Sequence, residues 1–149
     1  MAKFEIEGKN SLGIQINGYQ YPASDDKEYD GNWLNIQLDV DSQIGKWKTV
    51  DPCLLTWEVE ALIEWLRGAA KGALSNDTFM TFMEPNLSFM ISPASKESVF
   101  LKVTFDLESL PKGWDVRKDC YLQGNVRVED LNKAAIGLEA ELSKYPKRK

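Results

Sequence analysis

Hydrophobic and polar residues alternate most regularly between positions 33 and 41. One parity is aliphatic, at Leu34, Ile36, Leu38 and Val40, and the other carries Trp33, Asn35, Gln37, Asp39 and Asp41. A period of two is typical of a strand that buries one face and exposes the other. The pattern therefore predicts a strand whose exposed face is acidic and rich in amides, and which is available to a partner.

Shorter stretches of the same alternation predict strands at 4–6, 14–21, 44–50, 79–83, 87–92, 99–106 and 121–128. A 3.6-residue period predicts two helices. The first begins near Thr56, which is placed to act as its N-cap, and ends at Gly72; the second covers 129–144. The Asp51-Pro52 pair is predicted to end the strand before the first helix.

The order strands, helix, strands, helix, with connections of hairpin length, indicates an α+β fold. We predict a single, mostly antiparallel sheet of about seven or eight strands, compatible with strong curvature, with two helices packed on it. A sandwich-like wrap of the sheet is the alternative. The 149 residues show no repeat or linker, which predicts one domain over 1–149.

The chain is acidic, with 23 Asp and Glu against 18 Lys and Arg and a formal charge of −5. Four of the basic residues fall within the last six positions, 144–149, so the rest of the chain is more acidic than the total. Such a body repels nucleic acid and membrane surfaces and attracts basic partners. The basic tail itself is predicted to be a frayed terminus.

The chain contains no histidine. This removes the usual general base at neutral pH, the Ser-His and Cys-His nucleophile pairs and the commonest metal ligand. The two cysteines, Cys53 and Cys120, have no metal-binding spacing, and no signal sequence or membrane-spanning stretch is evident. The prediction is a cytoplasmic protein that is not an enzyme and has no catalytic residues, cofactor or metal.

Four carboxylates crowd the segment before the alternating strand: Asp25, Asp26, Glu28 and Asp30. Their spacing does not fit a calcium-binding loop, because position twelve counted from Asp25 is an isoleucine and the glycine falls one place late. Two interpretations stay open. The carboxylates imitate phosphates toward a basic partner, or they are solvated or paired with Lys27, Lys46 and Lys48.

On the first interpretation, the acidic segment and the polar face of the strand form one contact surface. Its predicted partner-binding residues are Asp25, Asp26, Glu28, Asp30, Trp33, Asp39 and Asp41. Trp33 shares the parity of the polar residues, so it either covers a sheet edge or anchors a partner as interface aromatics do.

Three stretches of the chain resemble the WapI-type immunity proteins. They are Tyr-Asp-Gly-Asn-Trp-Leu-Asn at 29–35, Asp-Pro-Cys-Leu-Leu-Thr at 51–56 and Leu-Ile-Glu-Trp-Leu at 62–66. Proteins of that family are small and cytoplasmic, and they neutralise the toxin domain of a contact-dependent bacterial toxin. The resemblance implies a protective role through binding of a cognate toxin, without fixing which toxin is bound. Together with the acidic charge of the chain, it leads to the hypothesis that the protein blocks a basic toxin domain, for example a nuclease, by stoichiometric occlusion. The resemblance implies no particular contact residue.

Two other function classes stay open. A ligand-binding or regulatory module would need a deep apolar pocket with a few converging polar groups. A carboxylate-dependent hydrolase would need two acids facing each other across a cleft. For the leading interpretation the expected partner is a protein rather than nucleic acid or membrane, bound by a monomer or weak homodimer.

Overall fold

The computed structural model describes residues 1–22, 30–72 and 74–148. Eight strands and two helices follow one another in the order four strands, helix, four strands, helix. The strands are β1 (Ala2–Ile6), β2 (Asn10–Tyr19), β3 (Trp33–Ser42), β4 (Gly45–Leu55), β5 (Thr78–Met80), β6 (Leu87–Pro93), β7 (Ser98–Phe105) and β8 (Cys120–Arg127). The helices are α1 (Thr56–Ala70) and α2 (Val128–Leu142), and short 3-10 helices occur at Asp30–Asn32 and Leu107–Ser109.

The strands form two antiparallel four-stranded sheets, in the orders β1-β2-β3-β4 and β5-β6-β7-β8. The prediction of an α+β fold with two helices is confirmed, but the single sheet is wrong. The two sheets approach where β1 meets β8, and there the Glu7 N–H donates to the Asn125 carbonyl at 3.0 Å. Side-chain alternation predicts which face of a strand is buried, but it does not reveal which strands are neighbours.

The alternation in β3 is confirmed. Its aliphatic residues are buried, whereas Trp33, Asn35, Gln37 and Asp39 are half-buried and Asp41 is exposed. Facing residues of the second sheet, such as Val99, Leu101, Val103 and Phe105 of β7, complete the core from the other side. The buried side chains of both sheets and both helices form one hydrophobic cluster. Each sheet therefore covers its apolar face by packing into this shared core.

Pro52 does not end the strand as predicted, since β4 runs through it to Leu55. Two features of the sheet allow this. β4 is the edge strand of its sheet, and the β3–β4 register shifts between Leu34 and Ile36, opposite the proline. An edge position and a bulge are the places where a strand tolerates a residue that has no N–H to donate.

Both helices use the predicted apolar stripes. In α1 the stripe is Val59, Leu62, Ile63, Leu66 and Ala70, and in α2 it is Leu131, Ala135, Leu138 and Leu142. Thr56 is not the N-cap but the first helical residue; the N-cap is Leu55, whose N–H donates to Glu58 Oε1 at 3.0 Å. No helix in the described ranges has the length and apolar character needed to cross a bilayer.

A close approach fixes α2 against the first sheet. A Cβ placed on Gly137 would lie 2.9 Å from the Cα of Ala2 in β1, which is closer than carbon atoms pack. Only glycine allows the helix and the strand to approach this closely at the crossing point.

Candidate functional site

An acidic depression lies where the start of β3 meets β4 and two loops of the second half of the chain. We call it the acidic pocket. Its lining residues are Gln20, Tyr21, Asp30, Trp33, Asp51, Pro52, Glu84 and Glu108. The lining that the described residues provide contains four carboxylates and no lysine or arginine, so the pocket carries an uncompensated negative charge.

Two of these carboxylates converge on one buried amide. Asn86 Nδ2 donates to Asp51 Oδ2 at 3.0 Å and to Glu108 Oε2 at 3.3 Å. Asn86 is itself buried, and its backbone carbonyl accepts from the Asp106 N–H at 2.9 Å. Partial burial, together with the charges of Glu108 and Glu84, raises the pKa of Asp51, and the Asn86 hydrogen bond partly opposes this.

The two loops that carry Glu84 and Glu108 are tied down by hydrogen bonds. The N–H of Met83 donates to Glu58 Oε2 at 2.8 Å, which anchors the Glu84 loop to the start of α1. The carbonyl of Ser109 accepts from Trp47 Nε1 at 3.0 Å, which anchors the 3-10 helix containing Glu108 to β4. The pocket walls are therefore held in place without a partner, a condition that lowers the entropic cost of binding.

Leu107 adopts a left-handed backbone conformation, with φ of 50°. This costs a residue with a Cβ about 1–2 kcal/mol. The Asp106 carboxylate accepts from the Leu107 N–H at 2.8 Å and supports this turn, which leads directly into Glu108. Strained backbone of this kind concentrates at functional sites, and here it lies beside a pocket carboxylate.

Asp30 and Trp33 are the two predicted binding residues that line the acidic pocket. Asp30 is exposed at the start of the 3-10 helix, and Trp33 is half-buried at the start of β3. The carbonyl of Trp33 accepts from the Gln20 N–H at 2.9 Å, and this bond holds the end of β2 against the start of β3. Tyr21, about half exposed, places a second aromatic ring in the lining.

Asp39 and Asp41 lie elsewhere. The six-residue distance from Trp33 to Asp39 along an extended strand is about 20 Å. In the β3–β4 register Asp39 stands opposite Lys48 and Asp41 opposite Lys46, and Lys46 Nζ is 3.8 Å from Asp41 Oδ2. The charge of this part of the sheet is offset by lysines, as the second interpretation of the sequence proposed.

The polar face between these two regions is a chain of hydrogen-bonded amides. Gln15 Nε2 donates to Asn17 Oδ1, Asn17 Nδ2 to Gln37 Oε1, and Gln37 Nε2 to Asp39 Oδ2, each at 3.0 Å. These bonds satisfy the amides within the sheet and order the surface across β2 and β3.

The structure thus brings together only part of the predicted surface. Asp30 and Trp33 lie in the acidic pocket, while Asp39 and Asp41 form a separate region. Asp25, Asp26 and Glu28 lie outside the described residues. Sequence reasoning missed Asp51, Glu84 and Glu108, because isolated acids in turns far apart along the chain give no pattern that links them.

The chemistry of the acidic pocket is that of charge recognition. Asp51 and Glu108 accept from the same amide nitrogen, Asn86 Nδ2, so a neutral donor bridges the two carboxylates in the free protein. In the part of the chain that is described, no three Asp, Glu, Cys or His side chains are grouped so as to hold a metal ion. Four carboxylates beside two aromatic residues suit a cationic side chain such as that of lysine or arginine.

The two cysteines are free thiols in the core. Burial raises the pKa of Cys53 to about 12, with Asp51 as the next contribution, and burial raises the pKa of Cys120 to about 11. A thiol needs a lowered pKa and access to solvent to act as a nucleophile, and both residues have the opposite properties.

A sequence model of the immunity protein WapI-like family matches residues 3–146. The match covers nearly the whole chain, beyond the first half in which the resemblance was noted. Neither the curated proteins nor the solved structures give a significant match.

Proposed function

Because this chain belongs to the immunity protein WapI-like family, we propose that it neutralises its cognate toxin by binding the toxin domain directly and occluding it. Immunity proteins of this kind act by toxin neutralisation in general, and direct occlusion is the mechanism that the acidic pocket supports. The partner surface would be basic. Opposite charges across an interface accelerate association and, where desolvated, also slow dissociation.

One observation carries the proposal: four carboxylates line a pocket whose described residues include no cation. The pKa of Asp51 is raised first by burial and then by the charges of Glu108 and Glu84, so repulsion between like charges in the free protein accounts for part of the shift. A basic partner side chain would relieve that repulsion on binding. Trp33 and Tyr21 in the same lining offer apolar area for an anchor contact.

We place the centre of the contact at Asp30 and Trp33. The predicted contacts at Asp25, Asp26 and Glu28 belong to the same proposal because they precede Asp30 directly in sequence. We expect Asp39 and Asp41 to contribute less, because Lys48 and Lys46 stand opposite them.

The test measures binding to a toxin domain taken from a toxin-like open reading frame near the gene for this protein. The pocket variant combines Asp51→Asn, Glu84→Gln and Glu108→Gln, and it is compared with a control variant that combines Glu60→Gln, Asp77→Asn and Glu97→Gln. Both variants lose three negative charges, and the control residues are exposed and outside the pocket lining. Net charge is therefore matched and only its location differs.

We expect the pocket variant to associate roughly tenfold more slowly than wild type at low ionic strength, and the control to stay within about twofold. The difference should shrink at high salt, because screening weakens exposed charge interactions. Equal effects in both variants would show that only net charge matters. A wild-type protein that does not bind the toxin would overturn the proposal.

Occlusion also predicts stoichiometry. Titrating the protein into a fixed amount of toxin should abolish toxin activity at one equivalent. Inhibition at far less than one equivalent would indicate that the protein modifies the toxin catalytically instead.

The proposal includes a cytoplasmic location and a monomer or weak homodimer. The two free cysteines support the location, because disulfides are rare in the reducing cytosol. Cell fractionation checks the location, and light scattering of the purified protein at several concentrations checks the oligomeric state.

A further inference from the structure

The segment that follows α2 packs against the beginning of β3 and the end of β2. We call residues Tyr145–Arg148 the post-helix segment. The ring of Tyr145 meets that of Tyr19 edge-on, with centroids 5.5 Å apart, and the Tyr19 hydroxyl donates to the Pro146 carbonyl. The prediction of a frayed terminus is therefore wrong for these residues. Their hydrogen bonds to distant parts of the chain could not be read from a short basic sequence.

Arg148 contacts the chain on both sides of the segment 23–29. On one side its guanidinium donates to the carbonyls of Tyr21, at 2.9 Å, and Pro22, at 2.8 Å, and lies 3.6 Å from the centroid of the Tyr19 ring. On the other side its backbone N–H donates to Asn32 Oδ1 at 2.9 Å, and its carbonyl accepts from Asn32 Nδ2 at 3.1 Å.

These partners belong to the structure of the acidic pocket. Tyr21 lines the pocket, and Asn32 lies in the chain between the lining residues Asp30 and Trp33. Asn32 is fully buried and also accepts from the Thr56 hydroxyl at 2.9 Å. Arg148 itself is not among the pocket-lining residues.

We propose that Arg148 is a positioning residue for toxin binding. It fixes Tyr21 relative to Asn32, and so sets where Asp30, Trp33 and Tyr21 stand when the partner arrives. The inference rests on the proposed function, since it concerns the same pocket. The physical basis is the two-pronged guanidinium, which holds two carbonyls at once in a fixed geometry that a lysine cannot reproduce.

Charge and positioning predict opposite effects at this residue. Arg148 is a cation near an acidic pocket, so its charge alone weakens attraction of a basic partner. If charge dominated, Arg148→Ala would bind a basic toxin faster and more tightly. If positioning dominates, the same substitution weakens binding, because the pocket must be ordered on association.

Lys147 provides the matched control. It is exposed, carries the same charge and adjoins Arg148 in sequence, but its ammonium lies over the ring of Trp57, at 5.4 Å, away from the pocket lining. Lys147→Ala removes a charge without removing the Tyr21, Pro22 and Asn32 bonds. Arg148→Lys keeps the positive charge but removes the two-pronged guanidinium that holds the two carbonyls.

The first measurement needs no partner. Residue-resolved hydrogen exchange reports on the Gln20 amide, which donates to the Trp33 carbonyl at 2.9 Å. We expect this amide to exchange at least about fivefold faster in Arg148→Ala, with Arg148→Lys in between and Lys147→Ala like wild type. Amides in β6 and β7 should not change in any variant. Equal exchange in Arg148→Ala and Lys147→Ala would overturn the positioning role.

The second measurement is binding of the toxin domain. We expect Arg148→Ala to dissociate at least about fivefold faster than wild type, and Lys147→Ala to associate at the wild-type rate or slightly faster. Tighter binding by Arg148→Ala would overturn the proposal in favour of charge. If wild type does not bind the toxin, the proposed function fails, and the exchange measurement alone decides whether Arg148 orders the pocket.

Discussion

Replacing Asn32 by alanine removes a fully buried amide that bonds to the Thr56 hydroxyl and to the backbone of Arg148. Its oxygen accepts from the Thr56 hydroxyl and from the Arg148 N–H, both at 2.9 Å, and its nitrogen donates to the Arg148 carbonyl at 3.1 Å. The side chain therefore joins the start of α1, the 3-10 helix before β3 and the post-helix segment.

The structure sets the size of the expected loss. The two bonds to the backbone N–H and carbonyl of Arg148 are only partly buried, so water can replace Asn32 there and each bond is worth about 0.5–1 kcal/mol. Thr56 is buried, so its hydroxyl loses its partner at a cost of about 1–2 kcal/mol. We expect Asn32→Ala to lower the free energy of unfolding by about 2–4 kcal/mol.

Urea unfolding followed by tryptophan fluorescence measures this loss. With a slope of about 2 kcal/mol per molar urea, the midpoint should fall by roughly 1–2 M. Asn17→Ala is the control, because Asn17 also makes two side-chain hydrogen bonds, at 3.0 Å, but is exposed. We expect it to cost no more than about 0.5 kcal/mol.

A double-mutant cycle identifies the source of the loss. In a Thr56→Val background no hydroxyl is left unpaired, so Asn32→Ala should cost about 1 kcal/mol less than in wild type. The reasoning is refuted if Asn32→Ala and Asn17→Ala cost the same, or if the cycle shows no coupling.

Three further predictions concern the packing, the charge and the thiols. Gly137→Ala should destabilise the protein by about 1–3 kcal/mol, because the added Cβ would lie 2.9 Å from a Cα of β1. Gly68→Ala in α1 should instead stabilise the protein by about 0.5–1 kcal/mol, because a Cβ there meets nothing within 4 Å. Urea unfolding compares the two variants. Asp51→Asn should raise the free energy of unfolding at pH 7 by no more than about 0.5 kcal/mol, because Asp51 is partly exposed and solvent screens its repulsion. The raised pKa means that the folded state binds the Asp51 proton more tightly than the unfolded state, so the wild-type protein loses stability as the pH rises through that pKa. The stability advantage of the variant should therefore vanish below the ordinary Asp pKa of 3.8. Urea unfolding midpoints measured from pH 3 to 7 check this. Cys53 and Cys120 should resist iodoacetamide in the native protein at pH 8, and mass spectrometry should find both alkylated only after unfolding; rapid native labelling would contradict their burial.

Local patterns predicted the elements well where burial and polarity alternate strongly. β3 and the apolar stripes of both helices follow the sequence closely, because each buries one face. The prediction that Asp51-Pro52 ends the strand is wrong, because the place of Pro52 in β4 depends on an edge position and a bulge that arise only from pairing with β3. The single-sheet prediction failed for the same reason, because strand neighbours are chosen by the whole fold.

For the candidate site, the sequence by itself determined an acidic, histidine-free chain with Asp30 and Trp33 on a polar surface next to a buried strand face. Only the tertiary structure decided that Asp51, Glu84 and Glu108 join them, that Asp39 and Asp41 stand opposite lysines, and that Arg148 bonds to both Tyr21 and Asn32. The physical reason is that periodicity reports the environment of a residue within its own strand or helix. Which charges meet, and whether they attract or repel, is fixed by contacts between residues that are tens of positions apart.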